Sequence, residues 1–228
     1  MKIRNKILII ISSILVFIAI VLAVLQLYAK KYVKDLIAEK IPSNYTLKYA
    51  DLDINIAWGN ITLHDVVLKM KDKEASQNYA DLKTASLELN GIGYWDLAFN
   101  ETLSIKGILL QNPKLNYYPY KHKESKKSED NSKNKGIQTL EIKKIAIEKG
   151  SLHVMRKSAD SIKMTLSSFD LTVLASQIDL KSTDKMPFVY ENYQLDAQKI
   201  DIDNGNYDRL KVDSLSANKE AINLTNFQ

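Results

Sequence analysis

The stretch DLDINIAWGNITLHDVVLKM, residues 51–70, decides the fold class of this chain. Apolar residues alternate with Asp, Asn and Thr on both sides of Trp58-Gly59-Asn60. Successive side chains of a β-strand point to opposite faces, so the alternation predicts two strands that share one apolar face. A short turn with Gly and Asn between them predicts an antiparallel hairpin.

One irregularity interrupts the second of these strands. The apolar phase slips by one residue between Leu63 and Val66. An extra residue in one strand would absorb such a slip, so we predict a β-bulge near His64-Asp65.

The same alternation continues through most of the chain. The runs predict about ten to fourteen strands, and turns are expected at Gly59-Asn60, Lys149-Gly150 and Asn204-Gly205. We therefore expect a mainly β protein in which an N-terminal helix is followed by a long, curved antiparallel sheet that forms a groove. A closed β-sandwich is the alternative.

The N-terminus has the pattern of a membrane anchor. A basic start, residues 1–6, precedes the apolar run 7–29. As a helix this run would be roughly 34 Å long, which spans a hydrocarbon core of roughly 30 Å. A cleaved signal peptide is the alternative, but no A-x-A site precedes Lys30. We predict one transmembrane helix, a cytoplasmic start and a β region on the other side.

A second helical segment follows the anchor. Residues 30–42 end at a proline, and their polar residues lie away from an apolar stripe. We expect this juxtamembrane helix to cover the mouth of the β region, with a lipid headgroup site as the alternative. The stripe consists of Tyr32, Val33, Leu36, Ile37 and Ile41.

A polar segment divides the β region. Residues 121–136 contain no apolar residue and predict a disordered linker, because they cannot offset their ordering entropy by burial. The first β unit is then 43–120 and the second 137–228. We expect the second unit to be incomplete, since strand alternation continues to its last residues.

Charge and composition exclude several classes of function. The net charge of +5 comes from residues 1–6 and from the polar linker, and the rest of the chain is close to neutral. No broad basic face is expected, so nucleic acid is an unfavourable partner. The absence of cysteine excludes disulfides and thiol catalysis.

No catalytic or metal-binding pattern is present in the sequence. The three histidines, His64, His122 and His153, have no second ligand at a metal-binding spacing, and the carboxylates follow the strand alternation. We therefore predict no enzyme activity, no metal site and no cofactor.

The apolar face of the sheet is the remaining candidate site. The sequence offers no set of amphipathic helices to cover it, and beside a membrane its natural ligand is the acyl chains of phospholipids. The groove positions that we predict are Leu52, Ile54, Ile56, Leu87, Leu89, Ile105 and Ile145.

Three stretches carry a family resemblance: NYTLKYADLDINIAWGNITLHDVVLKM (44–70), LSIKGILLQNPKLNYY (103–118) and IKKIAIEKGSLHV (142–154). With the preceding anchor, they resemble the N-terminal region of AsmA/TamB-like envelope proteins. The resemblance implies a bacterial inner-membrane anchor, a periplasmic lipid groove, and a part in phospholipid transport or outer-membrane biogenesis and envelope homeostasis, without catalytic residues. The alternative is a membrane-anchored β-sandwich scaffold for envelope protein assembly.

One departure from that family concerns length. Its members are usually much longer, and about twelve strands at a spacing of ~4.8 Å make a groove of only roughly 60 Å. We therefore expect a fragment of a longer protein, a partner that continues the sheet by strand addition, or a regulatory role without lipid conduction.

Overall fold

The computed structural model describes residues 16–17, 24–26, 28–35, 37–38, 41, 44–70, 79–93, 102–119, 139–156, 162–179, 188–205 and 208–227. The described part of the chain is mainly β, as the alternation predicted. A 3-10 turn, Ile56–Trp58, joins two of its strands. The strands are β1 (Tyr45–Lys48), β2 (Asp51–Asn55), β3 (Asn60–Met70), β4 (Tyr79–Gly93), β5 (Thr102–Gln111), β6 (Lys114–Tyr118), β7 (Thr139–Met155), β8 (Ile162–Asp179), β9 (Phe188–Val189), β10 (Asn192–Gly205), β11 (Asp208–Asn218) and β12 (Ile222–Phe227).

Helix is confined to the N-terminal part of the described chain. Residues 28–35 and 37–38, called the covering helix below, are helical, as are residues 16–17 and 24–26. No helix in the described ranges is long and apolar enough to cross a membrane. Most of residues 7–29 lie outside these ranges, as do residues 1–6 and 121–136. The transmembrane helix, basic start and disordered linker therefore stay predictions.

The described strands form one sheet of 12 strands. Its main order is β1-β3-β4-β5-β7-β8-β10-β11-β12, while β2 pairs with β3, β6 pairs with β4 and β7, and β9 pairs with β8. The pairs of β7 with β5 and β6 join the two predicted β units in this sheet. No pairing among these strands connects β1 with β12, so hydrogen bonds do not close the described sheet.

The sheet is mixed, which corrects the expectation of an antiparallel sheet. β7 runs parallel to β5 and β6, and the other strand pairs are antiparallel. A parallel neighbour needs a connection of a dozen residues or more, and the chain between Tyr118 and Thr139 supplies it. Alternation shows which face a residue takes but not the direction of the neighbouring strand, so this feature was missed.

The predicted irregularity at His64-Asp65 is present, in a different form from a simple bulge. Asp65 has a left-handed backbone with φ 50°. Buried Leu63 and Val66 flank it on the apolar face, yet the pairing between β3 and β4 keeps one register through this point. The register is kept because β4 also has one extra residue between Leu87 and Thr84, opposite the extra residue of β3.

Such steps continue across the sheet as a row. Left-handed residues recur close to one line across the strand registers, with residues of β4, β8 and β11 between some of them, and we call this line the first bend row. An extra residue on one face bends a strand and strengthens its twist, so a row of such residues is expected to curve the sheet. Its left-handed members are Asp65, Asn112, Lys149, Lys199 and Asn226.

A second bend row crosses β4, β5, β7 and β8. Its left-handed residues are Gly59, Gly91 and Ala175, and Lys106 and Lys143 lie between them in the register. The prediction of a turn at Lys149-Gly150 is wrong, because both residues lie inside β7. A Cβ atom at Gly150 would lie 2.6 Å from the ring of Phe169, so a larger residue there would have to displace that ring.

Two separate clusters fill the apolar face. One is built from Leu52, Ile54, Leu63 and Val66, against which the covering helix packs. The other lies towards β12 and is built from Leu166, Ala197, Ile200 and Val212.

Candidate functional site

An apolar groove lies between the covering helix and the sheet. Its volume is 590 Å³, and its lining contains no charged side chain. This is within the range of roughly 300–1,000 Å³ found for small-ligand sites. The lining residues are Val33, Ile37, Ile41, Tyr45, Leu47, Ile61, Leu63, Leu68, Leu87 and Leu89.

The helical side of the groove follows from the residue spacing. Val33 and Ile37 are four residues apart, so they lie on one face of the helix, and Ile41 follows them with its N–H donating to the carbonyl oxygen of Ile37. Lys31 and Lys34 are exposed on the other side. Through these residues the segment covers part of the apolar face, whereas Tyr32, expected on the apolar stripe, is 68% exposed.

The floor of the groove is shaped by the first bend row. Leu63 and Leu68 lie on opposite sides of Asp65 in β3, and strict alternation would place them on opposite faces. His64 and Asp65 both point away from the apolar face. Both leucines therefore lie on that face, where they line the same groove. The bend therefore lengthens the apolar surface along one strand.

The structure separates the seven predicted groove positions into two groups. Leu87 and Leu89 line the groove. The others lie on the same face outside its lining: Leu52, Ile54 and Ile105 are buried, and Ile56 and Ile145 are half-buried. Leu52 is 0% exposed, because the covering helix packs on its cluster, so it acts as core beneath the site.

Sequence reasoning missed the residues that complete the groove on β1 and β3. Leu47, Ile61, Leu63 and Leu68 belong to it, although their alternation was visible in the sequence. The signal that identifies them is the helical stripe at Val33 and Ile37, because a short helix covers only the strands nearest to it.

One ion pair fixes the covering helix to the strand below it. Lys30 Nζ lies 3.2 Å from Asp51 Oδ1, and the same oxygen accepts a hydrogen bond from the backbone N–H of Leu52 at 2.8 Å. The Leu52 N–H, followed by Lys30, lowers the pKa of Asp51 below its usual value. Both side chains are partly exposed, so this pair orients the helix more than it stabilises the fold.

Two of the histidines have side-chain hydrogen-bond partners on neighbouring strands. His64 Nε2 lies 3.0 Å from Asp53 Oδ2, and His153 Nδ1 lies 3.1 Å from Asn116 Oδ1. Among the described residues, no group of three or more His, Cys, Asp or Glu side chains is arranged to hold a metal ion. His122 lies outside the described ranges.

No family model matches the chain, and no curated protein matches it.

Proposed function

We propose that this protein is an AsmA-like, inner-membrane-anchored envelope protein that holds phospholipid acyl chains in its groove. The observation that carries the proposal is the 590 Å³ groove, whose lining is wholly apolar apart from the Tyr45 hydroxyl. Each methylene group transferred from water to such a surface contributes about 0.8 kcal/mol. The groove offers no charged group for chemistry on a bound ligand, so the proposed role is binding or transfer.

The position of the groove supports a membrane source for the ligand. The covering helix forms one wall, and the apolar run 7–29 leads into it in the sequence. Val24, Leu25 and Tyr28 are exposed at the start of this wall. A lipid entering along them would pass from one apolar surface to another, as phospholipid transport or outer-membrane biogenesis requires.

Native mass spectrometry of the detergent-extracted full chain tests this proposal. We expect co-purified phospholipid with the wild type and its loss in Leu89→Asp, because a carboxylate in an apolar groove is costly to desolvate. Leu174→Asp is the matched control, since Leu174 is 41% exposed. Leu87→Trp is a second variant that fills the groove without adding charge. Lipid retained in both groove variants, with folding confirmed by urea titration, would contradict the proposal.

The proposed location is the bacterial inner membrane, with most of the chain in the periplasm. Protease added to intact spheroplasts should then digest the β region. Digestion that occurs only after lysis would show that the β region lies in the cytoplasm.

A scaffold for envelope protein assembly is the second candidate. Among the described strands β12 pairs with β11 alone, and Ile222 and Leu224 on it are 68% and 54% exposed. A partner could add a strand at this edge. Leu224→Lys should then reduce capture of envelope proteins, and under the lipid proposal it should leave lipid co-purification intact.

A further inference from the structure

A recess on the second bend row has a composition unlike that of the groove. Trp58 forms one side of this recess, and Lys106 and Lys143 form the other. Its volume is 530 Å³. Both lysines are exposed and follow buried Ile105 and Ile142, so they point away from the apolar face of the sheet.

Two glycines keep the space between Trp58 and the lysines free of side chains. Gly59 and Gly91 have φ values of 66° and 65°, which residues with a side chain rarely adopt. A Cβ at Gly59 would lie 2.7 Å from the carbonyl oxygen of Ile92, and one at Gly91 would lie 2.5 Å from Lys106 Cδ. The backbone therefore forms the floor of the recess.

Trp58 has the exposure and the chemistry of a residue that anchors a protein at a membrane interface. It ends the 3-10 turn between β2 and β3 and is 74% exposed, a large apolar surface to leave in water. Tryptophan favours the boundary between lipid headgroups and acyl chains, where its ring is apolar and its N–H remains wet. The neighbouring lysines provide the charge that anionic headgroups attract, with Glu141 as the one acidic side chain in the recess.

The direction of the covering helix supports a position of this recess near the proposed membrane anchor. Ile41 lines the groove only four residues before Tyr45, where β1 begins, whereas Lys30 contacts Asp51 at the start of β2. Followed backwards from Ile41, the helix thus runs in the same sense as β1 and β2, and β2 leads to Trp58.

We infer that the recess of Trp58, Lys106 and Lys143 docks on the surface of the membrane and binds anionic phospholipid headgroups. This inference rests on the proposed membrane anchoring and does not depend on lipid binding in the groove. Docking would hold the sheet at a fixed orientation on the bilayer.

A fluorescent probe at position 58 tests the docking in the reconstituted full chain. The protein has no cysteine, so Trp58→Cys gives a unique site for an environment-sensitive dye. In vesicles of phosphatidylglycerol and phosphatidylcholine we expect blue-shifted emission and quenching by a nitroxide near the headgroup. In pure phosphatidylcholine both effects should be lost, and added inorganic phosphate at constant ionic strength should not reverse them. Intrinsic fluorescence of Trp58 in a Trp95→Phe background is a second readout without a dye.

The charge of the recess is tested with a matched pair of double variants. Lys106→Glu/Lys143→Glu should abolish the quenching. Lys83→Glu/Lys114→Glu should not, although it alters an exposed pair of cross-strand lysines by the same charge. Equal quenching in neutral and anionic vesicles, reversal by phosphate, or equal losses in the two double variants would overturn the inference.

Failure of this inference can be told apart from failure of the proposed function. Resistance of the vesicle-bound chain to alkaline extraction reports anchoring, and native mass spectrometry reports lipid in the groove. Anchored, lipid-loaded protein with a water-exposed probe at position 58 would overturn the docking alone.

Discussion

At the residue scale, the fold depends on a few backbone positions that tolerate no side chain. Gly59 is the clearest, because it combines a left-handed backbone with contact distances to the backbone of Ile92 that a Cβ could not occupy. Gly107, also on the sheet, differs in both respects: a Cβ there would have its nearest neighbour at 3.9 Å. Glycine is therefore required at position 59, whereas position 107 has room for a side chain.

This contrast gives the first prediction. Gly59→Ala should lower the free energy of unfolding by about 1–3 kcal/mol, because the strain falls on backbone atoms that cannot move cheaply. Gly107→Ala should change it by less than about 1 kcal/mol, and an increase is expected if the unfolded-chain entropy dominates. Urea unfolding of both variants measures the difference. Equal losses would show that the backbone at Gly59 is not strained by a side chain.

At the scale of the covering helix, the Lys30–Asp51 pair predicts a pH dependence. The lowered pKa of Asp51 means that the folded state binds this proton less readily than the unfolded state. Its stabilising contribution is therefore present above the ordinary aspartate pKa, 3.8, and is lost as the pH falls through the lower folded-state value. Asp51→Asn has no such contribution to lose.

Urea midpoints of the wild type and Asp51→Asn, measured from about pH 6 to about pH 2, test this dependence. The difference should be largest at the upper end and should vanish at the lower end. Lys30→Met should remove only part of it, because the Leu52 N–H is the larger cause. A difference that is constant with pH would refute the assignment.

The strands show how far the sequence alone could predict the elements. The positions of β7 on the apolar face of the sheet are 140, 142, 145, 147, 150, 152 and 154, so the spacing changes between two and three residues. Reading each pair as a separate alternating run identified the strands and their faces. It also suggested a turn at Lys149-Gly150, because a phase slip and a turn look alike until the neighbouring strands are known.

The second bend row gives a prediction about the left-handed backbone that its strands share. Ala175 has φ 49°, a conformation that costs L-residues roughly 1–2 kcal/mol and glycine almost nothing. Ala175→Gly should therefore be neutral or stabilising within about 1 kcal/mol. Ala146→Gly, at a buried site in β7, should cost about 1 kcal/mol or more because it also removes a packed methyl group. Thermal unfolding compares the two, and similar losses would contradict the role of Ala175 in the second bend row.

At the scale of the whole molecule, the apolar face was predictable and its covering was only partly so. The register places Leu52, Leu87 and Ile145 on one face, as the alternation indicated. Which of them are core and which line a groove depends on the covering helix, whose position no periodicity encodes. The parallel pairing of β7 was not predictable from periodicity either, because it depends on the path of the chain between Tyr118 and Thr139.

Photo-crosslinking tests the groove most directly. The full chain is reconstituted with a phospholipid that carries a diazirine near the end of its acyl chain, irradiated, digested and analysed by mass spectrometry. Crosslinks are expected on peptides that contain Leu47, Leu68, Leu87 or Leu89, which line the groove. Leu89→Asp should remove them, and Leu174→Asp should not. Crosslinks confined to the exposed Val16, Phe17 and Val24, with none on the sheet, would contradict a lipid-binding groove.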